Sequence, residues 1–196
     1  MEYFDVSSNK GNLIKGPLIL KPKIFSDGRG YFFESWNHSE FNKIISREVH
    51  FVQDNHSESK LGVLRGLHYQ LAPKAQAKLV RCIEGKVFDV LVDIRKNSDT
   101  YGEWSSVVLN EQNKLQLWIP EGFVHGFLSL KDFSEVIYKT NEYWDKDYER
   151  SLFWNDSDLN INWPLVNINK KCKIITSYKD SIAPTLREIE KSGDLF

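Results

Sequence analysis

The sequence predicts one all-β domain, a sandwich, jelly roll or barrel with a few short peripheral helices. Three observations carry that expectation. Apolar and polar residues alternate with period two along several short runs. Polar or glycine-containing turns separate those runs. Segments with helical spacing are few and short. Many short strands at such intervals build sandwiches and barrels.

In chain order, Ser39 to Ser46 is the first short helix candidate. Arg65-Gly66-Leu67-His68-Tyr69-Gln70 then sets a histidine and an arginine among apolar residues that read as barrel lining. Lys78-Leu79-Val80-Arg81-Cys82-Ile83 reads as a strand with Lys78 and Arg81 on opposite faces, so only one of them points inward. After the turn Glu84-Gly85-Lys86, the run to Arg95 alternates. Phe88, Val90, Val92 and Ile94 share one face; Val87, Asp89, Leu91 and Asp93 share the other. Lys96-Asn97-Ser98-Asp99 and Asn110-Glu111-Gln112-Asn113 are turns, followed by alternating Leu115, Leu117 and Ile119. Beyond Pro120-Glu121-Gly122 come Phe123, His125 and Phe127, and then Val136, Tyr138 and Thr140. Pro184 to Ser192 is the second helix candidate, with Thr185 as its cap. The polar tail, 185–196, is expected to fray. No repeat, low-complexity tract or linker divides the chain, so residues 1–196 read as a single domain.

The 26 basic and 27 acidic residues nearly balance, which asks for neither nucleic acid nor a membrane surface. No apolar run reaches the length of a membrane span. Met1-Glu2-Tyr3-Phe4-Asp5 lacks the pattern of a signal peptide. Cys82 and Cys172, with no CxxC, read as two reduced thiols of a cytoplasmic protein. In that compartment the Asn55-His56-Ser57 sequon is idle.

GxGxxG, GxxxxGK and the glycine-flanked nucleophile serine are all absent. His68 reads either as a satisfied core histidine or as a proton carrier, since its ordinary pKa lies near working pH. Lys78 and Arg81 read as solvated charges or as cations of an anion pocket. Asp89 shares a face with Val87 and Leu91; a buried carboxylate needs a partner, which a barrel histidine or arginine supplies. A structural ion pair is as open a reading as a catalytic one. Metal is not expected: His68-x-Gln70 is not His-x-His, His125 stands alone, and His38 and His56 lie in polar, loop-like segments. Tyr138, Tyr143, Trp144 and Tyr148 crowd one stretch, as core residues or as a stacking surface for a base.

Several motifs occur together in order: Asp27-Gly28-Arg29-Gly30-Tyr31-Phe32-Phe33-Glu34-Ser35, Phe51-Val52-Gln53-Asp54-Asn55-His56-Ser57, Val63-Leu64-Arg65-Gly66-Leu67-His68, Lys78-Leu79-Val80-Arg81, Gly85 to Val90, Trp118 to Phe127, Trp154-Asn155-Asp156 and Lys179-Asp180. With them the chain, from about Gly16 to Pro184, resembles the dTDP-4-dehydrorhamnose 3,5-epimerase family. The resemblance implies a cupin-type jelly roll, a homodimer, and catalysis without metal or other cofactor. It implies a dTDP-sugar substrate, dTDP-4-dehydro-6-deoxy-D-glucose, epimerised at C3 and C5. His68 matches the general base, Asp180 its carboxylate partner, Tyr138 the proton donor and Lys78 the cation near the keto oxygen. Arg29, Glu34, Gln53, Asp54, Asn55, Arg65, His125, Glu149 and Lys179 match substrate contacts. Trp144 stands where the family usually has a tyrosine that stacks on thymine, and Ala77 where a glycine is common. Three other readings stay open from the residues: a single-carbon epimerase, a non-catalytic nucleotide-sugar binder, and a metal-dependent cupin oxygenase.

Overall fold

The computed structural model describes residues 1–165 and 173–196. Among the described residues, thirteen strands and three short helices succeed one another. The strands are β1 (Glu2–Ser7), β2 (Leu13–Lys21), β3 (Ile24–Asp27), β4 (Gly30–Phe33), β5 (Gln53–Ser59), β6 (Leu64–Gln70), β7 (Lys78–Glu84), β8 (Lys86–Asp93), β9 (Trp104–Asn110), β10 (Gln116–Ile119), β11 (Phe123–Ser129), β12 (Ser134–Thr140) and β13 (Glu149–Ser151). The helices are α1 (His38–Ile45), α2 (Tyr178–Ser181) and α3 (Leu186–Ser192). A six-stranded sheet, in the order β1-β2-β10-β7-β12-β5, faces a five-stranded sheet ordered β13-β6-β11-β8-β9. The pairings within both sheets are antiparallel. This is a β-sandwich of the cupin-like jelly-roll kind. Strands β3 and β4 form a separate hairpin.

The period-two patterns sort the core into layers. Val80, Cys82, Leu117, Ile119 and Val136 of the six-stranded sheet meet Val87, Leu91, Leu109, Phe123 and Phe127 of the other. The opposite face of β8, with Phe88, Val90 and Val92, looks away from that interior. It packs with Trp104, Leu152, Leu159 and Trp163 and with Leu186 and Ile189 of α3. On the outer face of the six-stranded sheet, Leu79 and Trp118 pack against Phe41 of α1 and Val49. Both faces of β8 are therefore covered, and the two carboxylates on its inward face are paired, Asp89 with His125 and Asp93 with Arg95.

Three expectations change. Residues 185–196 do not fray. Thr185 caps α3 in a reciprocal capping box with Glu188, and Leu186 and Ile189 are buried. Phe196 closes the chain against β8's exit: the Lys96 amide donates to its carbonyl at 2.7 Å. The tail is polar on one face only, so average polarity misrepresents it. His38 is not in a loop but is the first residue of α1, with Asn37 as N-cap, and His56 lies on β5. Cys82 is buried, and burial pushes its thiol up to about 12; Cys172 lies outside the described residues. Among the described residues, no helix is long and apolar enough to cross a membrane.

Candidate active site

A cavity of about 480 Å³ opens between the two large sheets. Arg65 and His68 of β6 and His125 of β11 line it from the five-stranded sheet. Asn55 of β5, Lys78 of β7 and Tyr138 of β12 line it from the six-stranded sheet. Thr176, Ser177 and Asp180 close a third side.

Local geometry aims His68 into this space. His68 pairs across strands with His125, and Arg65 with Phe127, so three steps on β6 span two on β11. An extra residue of this kind bends a strand and re-aims its side chains. The backbones then crowd together: a Cβ on Gly66 would lie 2.8 Å from the Gly126 Cα, and Gly66 has a φ of +114°. Only glycine suits that position.

Asp180 comes from α2. Ser177 caps this short helix, its hydroxyl accepting from the Asp180 amide at 3.1 Å. The Asp180 Oδ1 sits 2.6 Å from His68 Nε2, with 3% of the residue exposed. Burial pushes the Asp180 carboxyl upward, but hydrogen bonding and attraction from His68, with help from Ser177 and the Gly66 amide, hold it below the usual range. The His68–Asp180 pair leaves Nδ1 without a hydrogen bond among the described residues.

On the facing sheet, Lys78 is 9% exposed, and among the described residues its ammonium reaches only the His68 carbonyl, at 3.5 Å. Desolvation lowers its pKa to about 8, against the attraction of Asp89 and Glu149. Burial raises the Tyr138 phenol, while Arg65 pulls it the other way. Asp89 finds its partner in His125, whose Nε2 lies 2.9 and 3.0 Å from the two carboxylate oxygens. Arg65 is held by Ser59 Oγ at 3.0 Å and the Glu58 carbonyl at 2.8 Å. Arg81 points away from the cavity, its guanidinium over the Phe33 ring.

Seven expected residues therefore share one cavity: His68, Asp180, Lys78, Tyr138, Asn55, Arg65 and His125. The others lie outside its walls. Gln53 bonds Asn55 Oδ1 and accepts from the Trp144 amide at 3.0 Å. Asp54 pairs with Lys139, and Glu149 with Lys179 at 2.6 Å. Trp144 is 55% exposed. Glu34 bonds Asn37. Arg29 sits at the turn of the β3–β4 hairpin, its guanidinium 2.7 Å from Asp27 and its side chain 91% exposed. The short hairpin that carries Arg29 is part of neither large sheet, and Arg29 does not line the cavity.

Two site residues escape the sequence reading. The Ser57 hydroxyl lines the cavity, buried without a hydrogen bond among the described residues; it closes the motif that begins at Phe51, but nothing there assigns it a role. Ser177 had a signal in Ser177-x-x-Asp180, the spacing of a helix start. The arrangement pairs a carboxylate-backed imidazole on one wall with a phenol and an ammonium on the other. It can remove a proton beside a carbonyl, hold the resulting negative oxygen and deliver a proton from elsewhere.

Comparison with known proteins points the same way. The family model described as dTDP-4-dehydrorhamnose 3,5-epimerase matches residues 12–188. A dTDP-4-dehydrorhamnose 3,5-epimerase of Shigella flexneri is 58% identical over 150 residues, 76% of this chain and 83% of that protein. The dTDP-6-deoxy-D-glucose-3,5-epimerase of Legionella pneumophila, solved in complex with dTDP-4-keto-L-rhamnose, superposes with a TM-score of 0.88 at 39% identity, covering 99% of this chain and 97% of that one. A 3'-monoepimerase from Streptomyces bikiniensis, solved with dTDP-quinovose, superposes with a TM-score of 0.86 at 32% identity, over 93% and 89% of the two chains.

Proposed function

The chain belongs to the dTDP-4-dehydrorhamnose 3,5-epimerase family, and on that footing we propose that it converts dTDP-4-dehydro-6-deoxy-D-glucose to dTDP-4-dehydro-L-rhamnose. The observation that carries this reading is the His68–Asp180 pair on one wall of a cavity whose facing wall holds Tyr138 and Lys78.

The C4 ketone acidifies the hydrogens on C3 and C5 and is itself the electron sink, so the side chains suffice without a cofactor. His68 takes a proton from one of these carbons through the nitrogen that Asp180 leaves open. The C–H electron pair moves onto the C4 oxygen as an enolate. Asp180 stays ionised and stabilises the imidazolium, as a carboxylate does beside other catalytic histidines. Lys78 meets the enolate oxygen. The electron pair then returns to carbon, which takes a proton from Tyr138 on the opposite face. Solvent restores the proton of the phenol and removes that of the imidazolium. A phenol kept protonated by burial suits the donor role.

Arg65, Asn55 and His125 bind the substrate within the cavity, and Gln53, Asp54, Glu149 and Lys179 bind at its margins. Trp144 offers an open indole face for the base. Arg29 and Glu34 reach the phosphates of a second copy in a homodimer. The exposed Phe25, Tyr31 and Phe32 of the hairpin support such an exchange, since isolated hairpins are marginal in water. A dimer by light scattering, with KM raised at least tenfold in Arg29→Ala, is the expected result. A fully active monomer would remove the second copy from the site. A free, buried Cys82 fits a cytoplasmic setting.

The deciding experiment is turnover of this substrate in D₂O, read by NMR. Label at both C3 and C5 with the L-lyxo product is expected, and none with His68→Asn. Label at one carbon would make the enzyme a mono-epimerase, the reading favoured by the likeness to the Streptomyces 3'-monoepimerase. No label would leave a binding protein.

A further inference from the structure

Outside the cavity, two imidazoles and a carboxylate converge where α1 begins and the chain leaves it. His38 opens the helix after its Asn37 cap. Past Ile45 the chain doubles back through Ser46, in the left-handed region at φ 52°. The return is pinned by the Arg47 amide on the Asn42 carbonyl at 3.2 Å. The Val49 amide bonds the Asn42 side-chain oxygen, also at 3.2 Å. Val49 itself is buried against Phe41 and Trp118. Along extended chain, alternate residues share a face. Seating Val49 inward therefore turns Glu48 and His50 outward together, toward His38.

The result is a compact donor set. Glu48 Oε1 lies 2.9 Å from His38 Nε2 and 3.2 Å from His50 Nε2. The two imidazole centroids are 5.0 Å apart. All three donor atoms fall within 4.8 Å of one another. The Asn42 side-chain nitrogen also lies 3.2 Å from His38 Nε2. Ligands about 2.0–2.2 Å from a tetrahedral ion stand roughly 3.4 Å apart, so rotamer adjustment alone brings these atoms onto one ion. Two nitrogens and one carboxylate oxygen suit a borderline ion such as zinc, whereas magnesium and calcium prefer oxygen ligands.

We propose that His38, Glu48 and His50 form a surface site for a divalent transition-metal ion of the zinc kind, which ties the first turn of α1 to the segment leading into β5. Three protein ligands leave at least one position for water. The ion stabilises the fold and takes no part in epimerisation, because none of the three residues lines the cavity.

The test uses untagged protein freed of metal with chelator, titrated with zinc chloride in a calorimeter and melted with and without zinc. One equivalent is expected at micromolar affinity, with Tm raised about 5–10 °C at a hundredfold excess over Kd. His38→Ala, His50→Ala and the shape-preserving Glu48→Gln are expected to weaken binding at least tenfold and abolish the shift, with turnover unchanged. All three side chains are exposed, so the variants retain the fold. Absence of stoichiometric binding overturns the proposal. So does undiminished affinity in the three variants, which would put the ion elsewhere.

Discussion

Desolvation brings the Lys78 ammonium to a pKa of about 8, from an ordinary 10.5, with Asp89 and Glu149 opposing the shift. The group is therefore charged below about pH 8 and neutral above it. If it holds the enolate oxygen, kcat/KM falls as pH rises through that value. Lys78→Met is expected to lose about 10²–10³-fold in kcat and, with it, this alkaline limb. A wild-type profile flat to pH 9 would separate Lys78 from the oxyanion. Tyr138→Phe is expected to slow epimerisation more than deuterium exchange at C5, because it removes the donor and keeps the base. If both rates fall together, the phenol is not the donor there. At this scale the sequence was legible where chemistry and face coincide. Asp89 had to find a partner, and a same-face histidine was available. Ser57 was illegible, because nothing local distinguishes a hydroxyl that happens to face a cavity.

The elements most readable in advance were those whose apolar residues recur at period two on an inward face. Strands β7, β8, β10, β11 and β12 alternate because sheet packing demands it. The expectation for α3 had the right cap and end, though it began two residues early at Pro184, because its capping box is written in adjacent residues. Strands β1, β3 and β4 went unforeseen: their side chains are mostly exposed, so no alternation marks them. Helix α2 has four residues and no period to detect, yet it delivers Asp180. Its cap is the lever. Ser177→Ala removes a cap worth about 1 kcal/mol, and we expect kcat/KM to fall about fivefold while Tm falls by no more than about 2–4 °C. Ser177→Thr, which retains a capping hydroxyl, should recover most of the loss. Full activity in the alanine variant would mean that the His68 contact alone holds α2.

Across the whole molecule, residues far apart in sequence complete one another. Phe196 lies beside Tyr69 of β6, with ring centroids 6.3 Å apart, and the Tyr69 hydroxyl donates to the Asp194 carbonyl at 2.8 Å. Phe196→Ala is expected to lower Tm by about 3–6 °C in calorimetry. An unchanged Tm would return the tail to the frayed state that its polarity suggested. Such closure depends on where the termini land in three dimensions, which local patterning does not encode. The location of Arg29 was hidden for the same reason: its motif is local, but whether the hairpin carrying it lands on the cavity is not. The two-sheet layout has one more consequence. The proposed acceptor and donor of the proton ride on opposite walls, so the span between them is the thickness of the apolar fill around Leu91, Phe127 and Val136. That fill acts as a calliper for whatever sits between the two walls, and resizing it is expected to alter stereochemical fidelity without touching any reacting group.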